Sequence, residues 1–364
     1  MQKFIKPDKS LFLLITLAIF LTACDQGQDR KFSTSLKLVF EANTINNQPM
    51  QLEFSPTGKN LLVAYKGEVQ ILKECSGKSY NCINRIKLQN NAKAADMKFI
   101  SPEIFLALSN NKVIKYNING TLIKTFKITD NKKDMFGINS KIILDPINKD
   151  IIYISNYKAL YSLNLSNNKV SVIANMKIDD FAYQNNYFYI IRTLKDDSQQ
   201  LVLLSKLGNI LDVKNNITFP SKLLSFNNSV YMVSGNKIIS ISLNANRNKL
   251  LQKIELIKFP KSYQAQDETD KLAFRNALRF KNDQIILSFY SDKKKDNLNI
   301  KSITFFLLDI KALKALELQR IMNADSFFIS VVQNKVAISI IPLTMDFNPT
   351  FCIYTIIVSD HLKQ

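Results

Sequence analysis

The amino-acid sequence predicts an all-β fold, a seven-bladed β-propeller closed by an N-terminal strand. Two observations carry this prediction. A unit of short apolar strands recurs seven times along the 364 residues, at a spacing of about 46 residues that is typical of propeller blades. Gly, Pro, Asn and Asp recur at the same places within the unit, where tight turns need them. The alternative is an eight-bladed propeller, in which the long sixth unit conceals a further blade.

The beginning of the chain has the form of an export signal. Three lysines among the first nine residues precede an apolar run from Leu11 to Leu21. This run is shorter than the roughly 20 apolar residues of a membrane-spanning helix, so it predicts a removed signal rather than an anchor. The segment Leu21-Thr22-Ala23-Cys24 resembles the lipobox of bacterial lipoproteins. The resemblance implies lipid attachment at Cys24; an ordinary signal peptide with an incidental cysteine is the alternative.

These features predict three parts of the chain. Residues 1–23 are the lipoprotein signal peptide, 24–35 a lipidated tether, and 36–364 a single β-propeller domain. The lipid would hold the protein on the periplasmic side of a membrane. In the sorting rules of the lipoprotein family, Asp25 next to the lipidated cysteine favours the inner membrane, while the outer membrane stays open.

The chain is strongly basic, with a net charge of +19, which falls to +17 once residues 1–23 are removed. Such a charge favours an anionic partner, including anionic lipid headgroups. Only seven of the 49 basic residues are arginine, which argues against specific phosphate or nucleic-acid recognition. Abundant Lys, Asn and Ile without Trp also fit the codon bias of an AT-rich genome, which explains the charge without a partner.

The other three cysteines each lead to a structural expectation. Cys75 and Cys82 enclose a short segment, and in an export compartment this spacing predicts a disulfide that clamps a loop. A zinc site is the alternative, although two thiols without nearby histidines do not complete a tetrahedral ligand set. Cys352 lies in an apolar, strand-like run and is predicted to be a buried thiol.

The repeated unit is recognised by its second strand and by the turn before it. The turn Phe54-Ser55-Pro56-Thr57-Gly58-Lys59 resembles the one that opens blades in WD40-like and related bacterial propeller families. The predicted second strands begin near Leu61, Ile104, Ile151, Tyr187, Val230, Ile285 and Val336. The predicted blades span 36–90, 91–130, 131–176, 177–220, 221–259, 260–322 and 323–360.

Two segments need interpretation within this repeat. The stretch 308–318 has helical propensity, but its place in the unit predicts a hairpin. The last unit has three clear strands of its own, and 36–40 is predicted to supply the fourth, which would leave no long exposed edge.

A binding face is predicted where long connections gather. The second-to-third strand connections of units four, six and seven are long, and so is the connection from unit five to six. In a propeller these emerge on one face, and long loops there carry function. The alternative is that they are tolerated insertions. The candidate binding residues are Lys195, Tyr263, Arg275, Lys293, Lys294, Lys295 and Phe347.

The sequence favours binding over catalysis. The single histidine, His361, lies four residues from the end, and no catalytic, metal-binding or phosphate-loop motif is present. No cofactor and no metal are predicted. The predicted function is a membrane-anchored, non-enzymatic platform that binds an envelope or membrane protein. The alternative is an envelope hydrolase or lyase with a carboxylate site in the propeller channel, drawn from acids such as Asp145, Asp179, Asp180 and Asp196.

Overall fold

A computed structural model gives the structure of most of the chain. It describes residues 34–43, 49–75, 79–89, 92–129, 136–137, 140–217, 221–226, 228–244, 249–260, 273–281, 283–295, 298–322, 324–325, 329–333, 335–342 and 350–358. The proposed signal, Cys24, Tyr263, Phe347 and His361 lie outside these residues.

The described residues form β-strands joined by short turns. In chain order the first fifteen are β1 (Thr34–Asn43), β2 (Gln51–Phe54), β3 (Asn60–Tyr65), β4 (Glu68–Cys75), β5 (Ser79–Lys87), β6 (Ala94–Ser101), β7 (Ile104–Ser109), β8 (Lys112–Asn117), β9 (Leu122–Lys127), β10 (Lys141–Leu144), β11 (Ile151–Ser155), β12 (Ala159–Asn164), β13 (Val170–Asn175), β14 (Asp180–Gln184) and β15 (Tyr187–Thr193). The others are β16 (Gln199–Ser205), β17 (Ile210–Ile217), β18 (Ser221–Phe226), β19 (Ser229–Ser234), β20 (Lys237–Asn244), β21 (Lys249–Leu256), β22 (Ala273–Lys281), β23 (Gln284–Lys295), β24 (Leu298–Asp309), β25 (Lys314–Met322), β26 (Ala324–Asp325), β27 (Ile329–Val332), β28 (Lys335–Pro342) and β29 (Thr350–Val358).

Six four-stranded antiparallel sheets are the blades of a β-propeller. Blades 1 to 6 are β2–β5, β6–β9, β10–β13, β14–β17, β18–β21 and β22–β25, each built from consecutive strands. The prediction of seven four-stranded blades, or of eight, is therefore wrong. The described residues of the long sixth unit form one blade only, in which β23 and β24 are lengthened to 12 residues each.

The remaining strands form a five-stranded sheet of different construction, here called the closing sheet. Its order is β1-β29-β28-β26, with β27 also paired to β28. The two short strands β26 and β27 take successive parts of the same edge, since Ala324 lies opposite Pro342 and Ile329 opposite Ile338. This sheet is therefore not a meander of four consecutive strands, and the simple repeat of the sequence does not describe it.

The blades form because their strands are apolar on the sides that meet neighbouring blades. Buried clusters lie between successive blades, for example Leu62 and Ile71 of blade 1 against Met97 and Phe105 of blade 2. Each further pair up to blades 5 and 6 shares a cluster of the same kind. Burial of apolar surface at about 25 cal/mol per Å² stabilises this arrangement. The core is thus spread around the ring.

Most strand and turn predictions agree with the structure. The predicted second strands are present as β3, β7, β11, β15, β19, β23 and β28, and each begins within one residue of the predicted position. The stretch 308–318 is a hairpin, with β24 ending at Asp309 and β25 beginning at Lys314. Gly58 has a φ of 67°, so its turn uses the left-handed conformation that glycine adopts most easily.

One buried polar cluster joins blade 1 to the closing sheet. The ammonium of Lys335 in β28 donates to a carboxylate oxygen of Glu74 at 2.5 Å and to the Tyr80 hydroxyl at 3.2 Å. The Tyr80 hydroxyl in turn donates to the Gly58 carbonyl at 2.9 Å. The Lys335 and Glu74 side chains are only 16% and 18% exposed, so water screens this ion pair poorly.

The predicted disulfide is absent from the structure, in which both thiols are free. In the β4–β5 ladder Cys75 lies opposite Ser79, and Cys82 lies opposite Leu72. The cysteines are thus offset by three residues along the sheet, roughly 10 Å, beyond the reach of a disulfide. The Cys75 thiol instead accepts from the Asn81 amide, and the Cys82 thiol donates to the Asn84 carbonyl. Cys352 lies in β29.

None of the described residues belongs to a helix with the length and apolar character that crossing a membrane requires.

Candidate functional site

The first strands of blades 1 to 6 line one end of the central channel. Each first strand begins at the end where the second strand of the same blade finishes, because the two are antiparallel. Residues at the start of all six first strands surround a cavity of about 230 Å³. This end of the propeller is called the mouth face, and the cavity the mouth cavity.

Six polar side chains occupy equivalent positions around this cavity, and we call them the mouth ring. Each comes one residue before a buried apolar residue of its first strand, the position that turns the polar side chain to the channel and the next one to the core. The members of the mouth ring are Gln51, Asp96, Lys141, Asp180, Lys222 and Asn276.

Several ring members reach forward to the first strand of the next blade. The Gln51 amide donates to the Ala95 carbonyl at 3.1 Å. One Asp96 oxygen accepts the Ile142 N–H at 2.7 Å, while the other accepts the Met97 N–H at 2.9 Å. The first strands of a propeller do not pair with one another, so their inward N–H and C=O groups need such partners. The ring therefore braces the blades at the channel.

Lys141 and Asp180 form the strongest link of the ring. The Lys141 ammonium donates to Asp180 Oδ1 at 2.8 Å and to the Phe181 carbonyl at 2.9 Å. Asp180 also accepts the N–H groups of Phe181 at 2.9 Å and of Leu223 at 2.8 Å. Burial alone would raise the pKa of Asp180, but the charges of Lys141 and Lys222 and these hydrogen bonds outweigh it and lower the pKa. Asp180 is therefore ionised, and both of its carboxylate oxygens accept hydrogen bonds.

Asp96 differs from Asp180 in its electrostatic surroundings. Burial raises its pKa to about 6, although the Lys98 ammonium and the two backbone N–H groups act in the opposite direction. Lys98 is itself paired with Glu53 across blades 1 and 2 at 2.7 Å. The positive charge of Lys98 therefore acts on both Glu53 and Asp96. Asp96 consequently ionises less readily than an ordinary aspartate.

Asp96 makes the stability of the fold depend on pH. Its folded-state pKa of about 6 lies above the ordinary 3.8, so the folded chain takes up a proton on acidification before the unfolded chain does. The free energy of unfolding is expected to rise by about 1 to 1.5 kcal/mol from pH 7.5 to pH 5, as urea denaturation at both pH values would measure. Asp96→Asn removes this titration and should flatten the dependence. Parallel changes in wild type and variant would contradict the prediction.

The predicted binding residues that the structure describes lie at the mouth face. Lys195 is exposed in the turn between β15 and β16, closed by the hydrogen bond from Leu194 N–H to the Ser198 carbonyl. Arg275 lies near the start of β22, with its guanidinium 4.8 Å from the ring centre of Tyr290. Lys293, Lys294 and Lys295 are the last residues of β23.

The predicted loop of blade 6, 291–297, is largely strand. β23 and β24 pair continuously from Gln284–Asp309 to Lys295–Leu298, whereas β22 accompanies β23 only as far as Tyr290. On the other side, β25 accompanies β24 only from Ser302 onward. Among the described residues, 291–295 and 298–301 pair only with each other, so this hairpin continues about four to five residues, or roughly 13 to 17 Å, past the described ends of β22 and β25 as a two-stranded arm. We call residues 291–302 the mouth arm.

The carboxylates considered for catalysis hold the structure together. Asp145 lies in a turn, where Oδ1 accepts the Ile147 and Asn148 N–H groups and Oδ2 accepts the Tyr153 hydroxyl at 2.6 Å. Asp196 accepts the N–H and hydroxyl of Ser198 in the β15–β16 turn.

Asp179 lines the mouth cavity next to Asp180, and it accepts the Thr193 hydroxyl at 2.7 Å. Among the described residues, no three His, Cys, Asp or Glu side chains form a group that could hold a metal ion.

The mouth ring was missed at the level of the sequence, apart from Asp180. The second strands are the most apolar and dominate the repeat, so the polar residues at the start of the first strands do not stand out. The signal was available as a polar residue followed by an apolar one at the start of each unit, for example Gln51-Leu52, Asp96-Met97 and Lys141-Ile142. Residue types vary around the ring, so spacing alone identifies them.

Comparison with known proteins places the fold. No family model matches the chain, and no curated protein matches its sequence. Among solved structures, the β-propeller domain of Cps50 (Swd1) from Myceliophteria thermophila matches with a TM-score of 0.60, covering 89% of this chain and 100% of that domain. The two sequences are 8% identical, so the likeness concerns the fold alone. The chain therefore has the β-propeller fold.

Proposed function

We propose that the protein is a non-enzymatic platform that binds an envelope or membrane protein through its mouth face, while a lipid on Cys24 holds it at the membrane. The mouth arm is the observation that carries the binding proposal. It lies at the same end of the propeller as the mouth cavity and the exposed Lys195, and β23 ends there in three consecutive lysines. A WD40-like propeller is a common scaffold for protein binding, which supports the proposal.

The state of the channel carboxylates favours this function over the hydrolase or lyase alternative. A carboxylate pair that hydrolyses a glycoside needs one free acid and one free base or nucleophile. Asp180 and Asp145 accept hydrogen bonds on both oxygens, and both have lowered pKa values. Asp96 has the raised pKa that an acid requires, but two backbone N–H groups occupy its oxygens.

The β23–β24 register defines a variant that removes the arm and leaves the blade intact. Ser291 lies opposite Ser302, so replacing 292–301 with Asn-Gly forms a two-residue hairpin turn and keeps every pairing with β22 and β25. We expect in-cell crosslinking and pull-down from membranes to recover a defined envelope protein with wild type, and at least about tenfold less with the variant. Leu207→Ser is the control, because Leu207 is 85% exposed at the opposite end of the propeller.

The outcomes of this experiment separate the parts of the proposal. Equal recovery with and without the arm would exclude the arm as the contact. Absence of any specific partner would overturn the platform function. Cys24→Ser should release the protein from the membrane fraction, and membrane retention of that variant would overturn the lipid anchor.

A further inference from the structure

Side chains of the mouth ring link blades 1 to 5 in succession, and among the described residues none links blade 5 to blade 6; this gap is called the open segment. Links run from Gln51 to blade 2, from Asp96 to blade 3, from Lys141 to blade 4 and from Asp180 to blade 5. The next members are Lys222 of blade 5 and Asn276 of blade 6. Within the described part of the chain, the Lys222 ammonium makes no hydrogen bond or ion pair, although its charge contributes to the low pKa of Asp180.

Asn276 also has unused donors. Its Oδ1 accepts the Ala277 N–H at 2.9 Å, as Asp96 and Asp180 accept the N–H of the residue that follows each of them. This bond fixes the amide so that its NH₂ group is left over, and no acceptor for that group is found among the described residues. The ammonium and the amide line the same mouth cavity.

The pair Lys141 and Asp180 of the same ring indicates which group is missing beside Lys222. Lys141 and Lys222 occupy equivalent positions in blades 3 and 5. The next blade supplies a carboxylate, Asp180, to Lys141, whereas at the equivalent position it offers Lys222 the neutral Asn276. The ring position after Lys222 is thus occupied by Asn276, whose NH₂ group donates hydrogen bonds and carries no negative charge. Among the described residues no acidic side chain fills this place, so a bound carboxylate would complete the ring.

The other charged groups of the cavity leave this segment available. Asp180 is saturated by Lys141 and two N–H groups. Asp179 accepts the Thr193 hydroxyl, and its charge acts on Lys177. Leu224 and Leu278, two residues beyond Lys222 and Asn276, also line the cavity. Beside the two donors there is therefore an apolar surface suited to a short aliphatic stem.

We propose that the open segment of the mouth ring, between Lys222 and Asn276, binds a carboxylate carried on a short aliphatic stem. The carboxylate comes either from an acidic side chain of the bound partner or from a small organic acid. The first source rests on the proposed function, and the second does not. A charge-assisted bond from the ammonium and a second bond from the amide would hold it.

Isothermal titration calorimetry with succinate and with N-acetylglutamate α-amide tests the site directly. Wild type should bind at least one of these probes, and the uncharged N-acetylglutamine amide should not bind. Lys222→Met is expected to weaken binding at least about tenfold. Lys195→Met, which removes an exposed lysine of the same face, should leave the affinity unchanged.

Asn276→Asp provides the sharpest variant. It places the missing carboxylate inside the ring, and the aspartates at positions 96 and 180 show that the fold accepts this residue type there. Binding of both probes should be lost, while the midpoint of thermal unfolding should stay the same or rise. Probe binding by Asn276→Asp at wild-type affinity, or no binding of either probe to wild type, would overturn the proposal.

Crosslinking with the same variants distinguishes the two sources. Loss of the captured partner with Asn276→Asp identifies an acidic side chain of that partner. A partner captured equally by wild type and variant, together with ring-dependent succinate binding, identifies a small acid. If wild type captures no partner yet binds succinate through Lys222, the proposed function fails and the carboxylate site stands.

Discussion

Asp180→Ala is expected to lower the free energy of unfolding by about 3 to 5 kcal/mol, the range for removing one partner of a buried ion pair. Asp180 is 5% exposed and accepts hydrogen bonds from three donors: the ammonium of Lys141, with which it forms an ion pair, and the backbone N–H groups of Phe181 and Leu223. Ala leaves the ammonium without its counter-ion, although the Phe181 carbonyl still accepts from it, and leaves two N–H groups of adjacent blades without an acceptor. Urea denaturation monitored by circular dichroism would measure the loss.

The neighbouring aspartate is a matched control for this change. Asp179→Ala removes a carboxylate from the same cavity, but one that accepts only the Thr193 hydroxyl among the bonds described. It should cost about 1 kcal/mol or less. Asp180→Asn, which keeps an acceptor and loses the charge, should fall between the two. Equal losses for positions 179 and 180 would mean that the ring brace adds little to stability.

Lys335→Met is expected to lower the free energy of unfolding by about 2 to 4 kcal/mol. The substitution preserves the length of the side chain but leaves the Glu74 carboxylate, 18% exposed, without its cation. It also removes a donor to the Tyr80 hydroxyl and to the Gly58 carbonyl, so blade 1 loses one of its polar links to the closing sheet. The same denaturation measurement applies.

The double variant Lys335→Met with Glu74→Gln shows where the loss arises. If an uncompensated charge is the main cost, removing that charge should recover a substantial part of the lost stability. A double variant as unstable as Lys335→Met alone would point to lost packing instead. Retained stability in Lys335→Met would show that apolar contacts such as Ala337 with Leu61 hold the two sheets together without the pair.

The sequence predicts strands better than it predicts sheets. Apolar alternation and turn residues are local, so β7, β11 and β15 begin where the pattern placed them. Membership of a sheet depends on distant pairing: β1 and β29 meet across most of the chain, and β26 and β27 divide one edge. Apart from its N-terminal strand, predicted at 36–40 and present as β1 beside β29, the closing sheet was therefore beyond a prediction based on equal repeats, and the blade count was wrong for the same reason.

The mouth arm shows a second limit. Asp292-Lys293-Lys294-Lys295-Asp296 resembles a solvated loop because charges interrupt the apolar alternation. Its partner strand retains a weak alternation in Leu298-Asn299-Ile300-Lys301, and continuous pairing with that strand extends the hairpin. Strand formation here follows from the register of the hairpin below it, which no single-strand pattern reveals.

The forward direction of the ring contacts bears on how the chain assembles during synthesis. Asp96 and Asp180 accept N–H groups that lie 46 and 43 residues later in the chain. Each of these hydrogen bonds can therefore form only after the following blade has been synthesised. A much longer-range bond, from the Phe54 N–H to the Ser330 hydroxyl, spans 276 residues and joins the first blade to the closing sheet. Blades can therefore add one at a time at a modest entropic cost, while circularisation is a separate late event whose loop-closure entropy makes it the slow step.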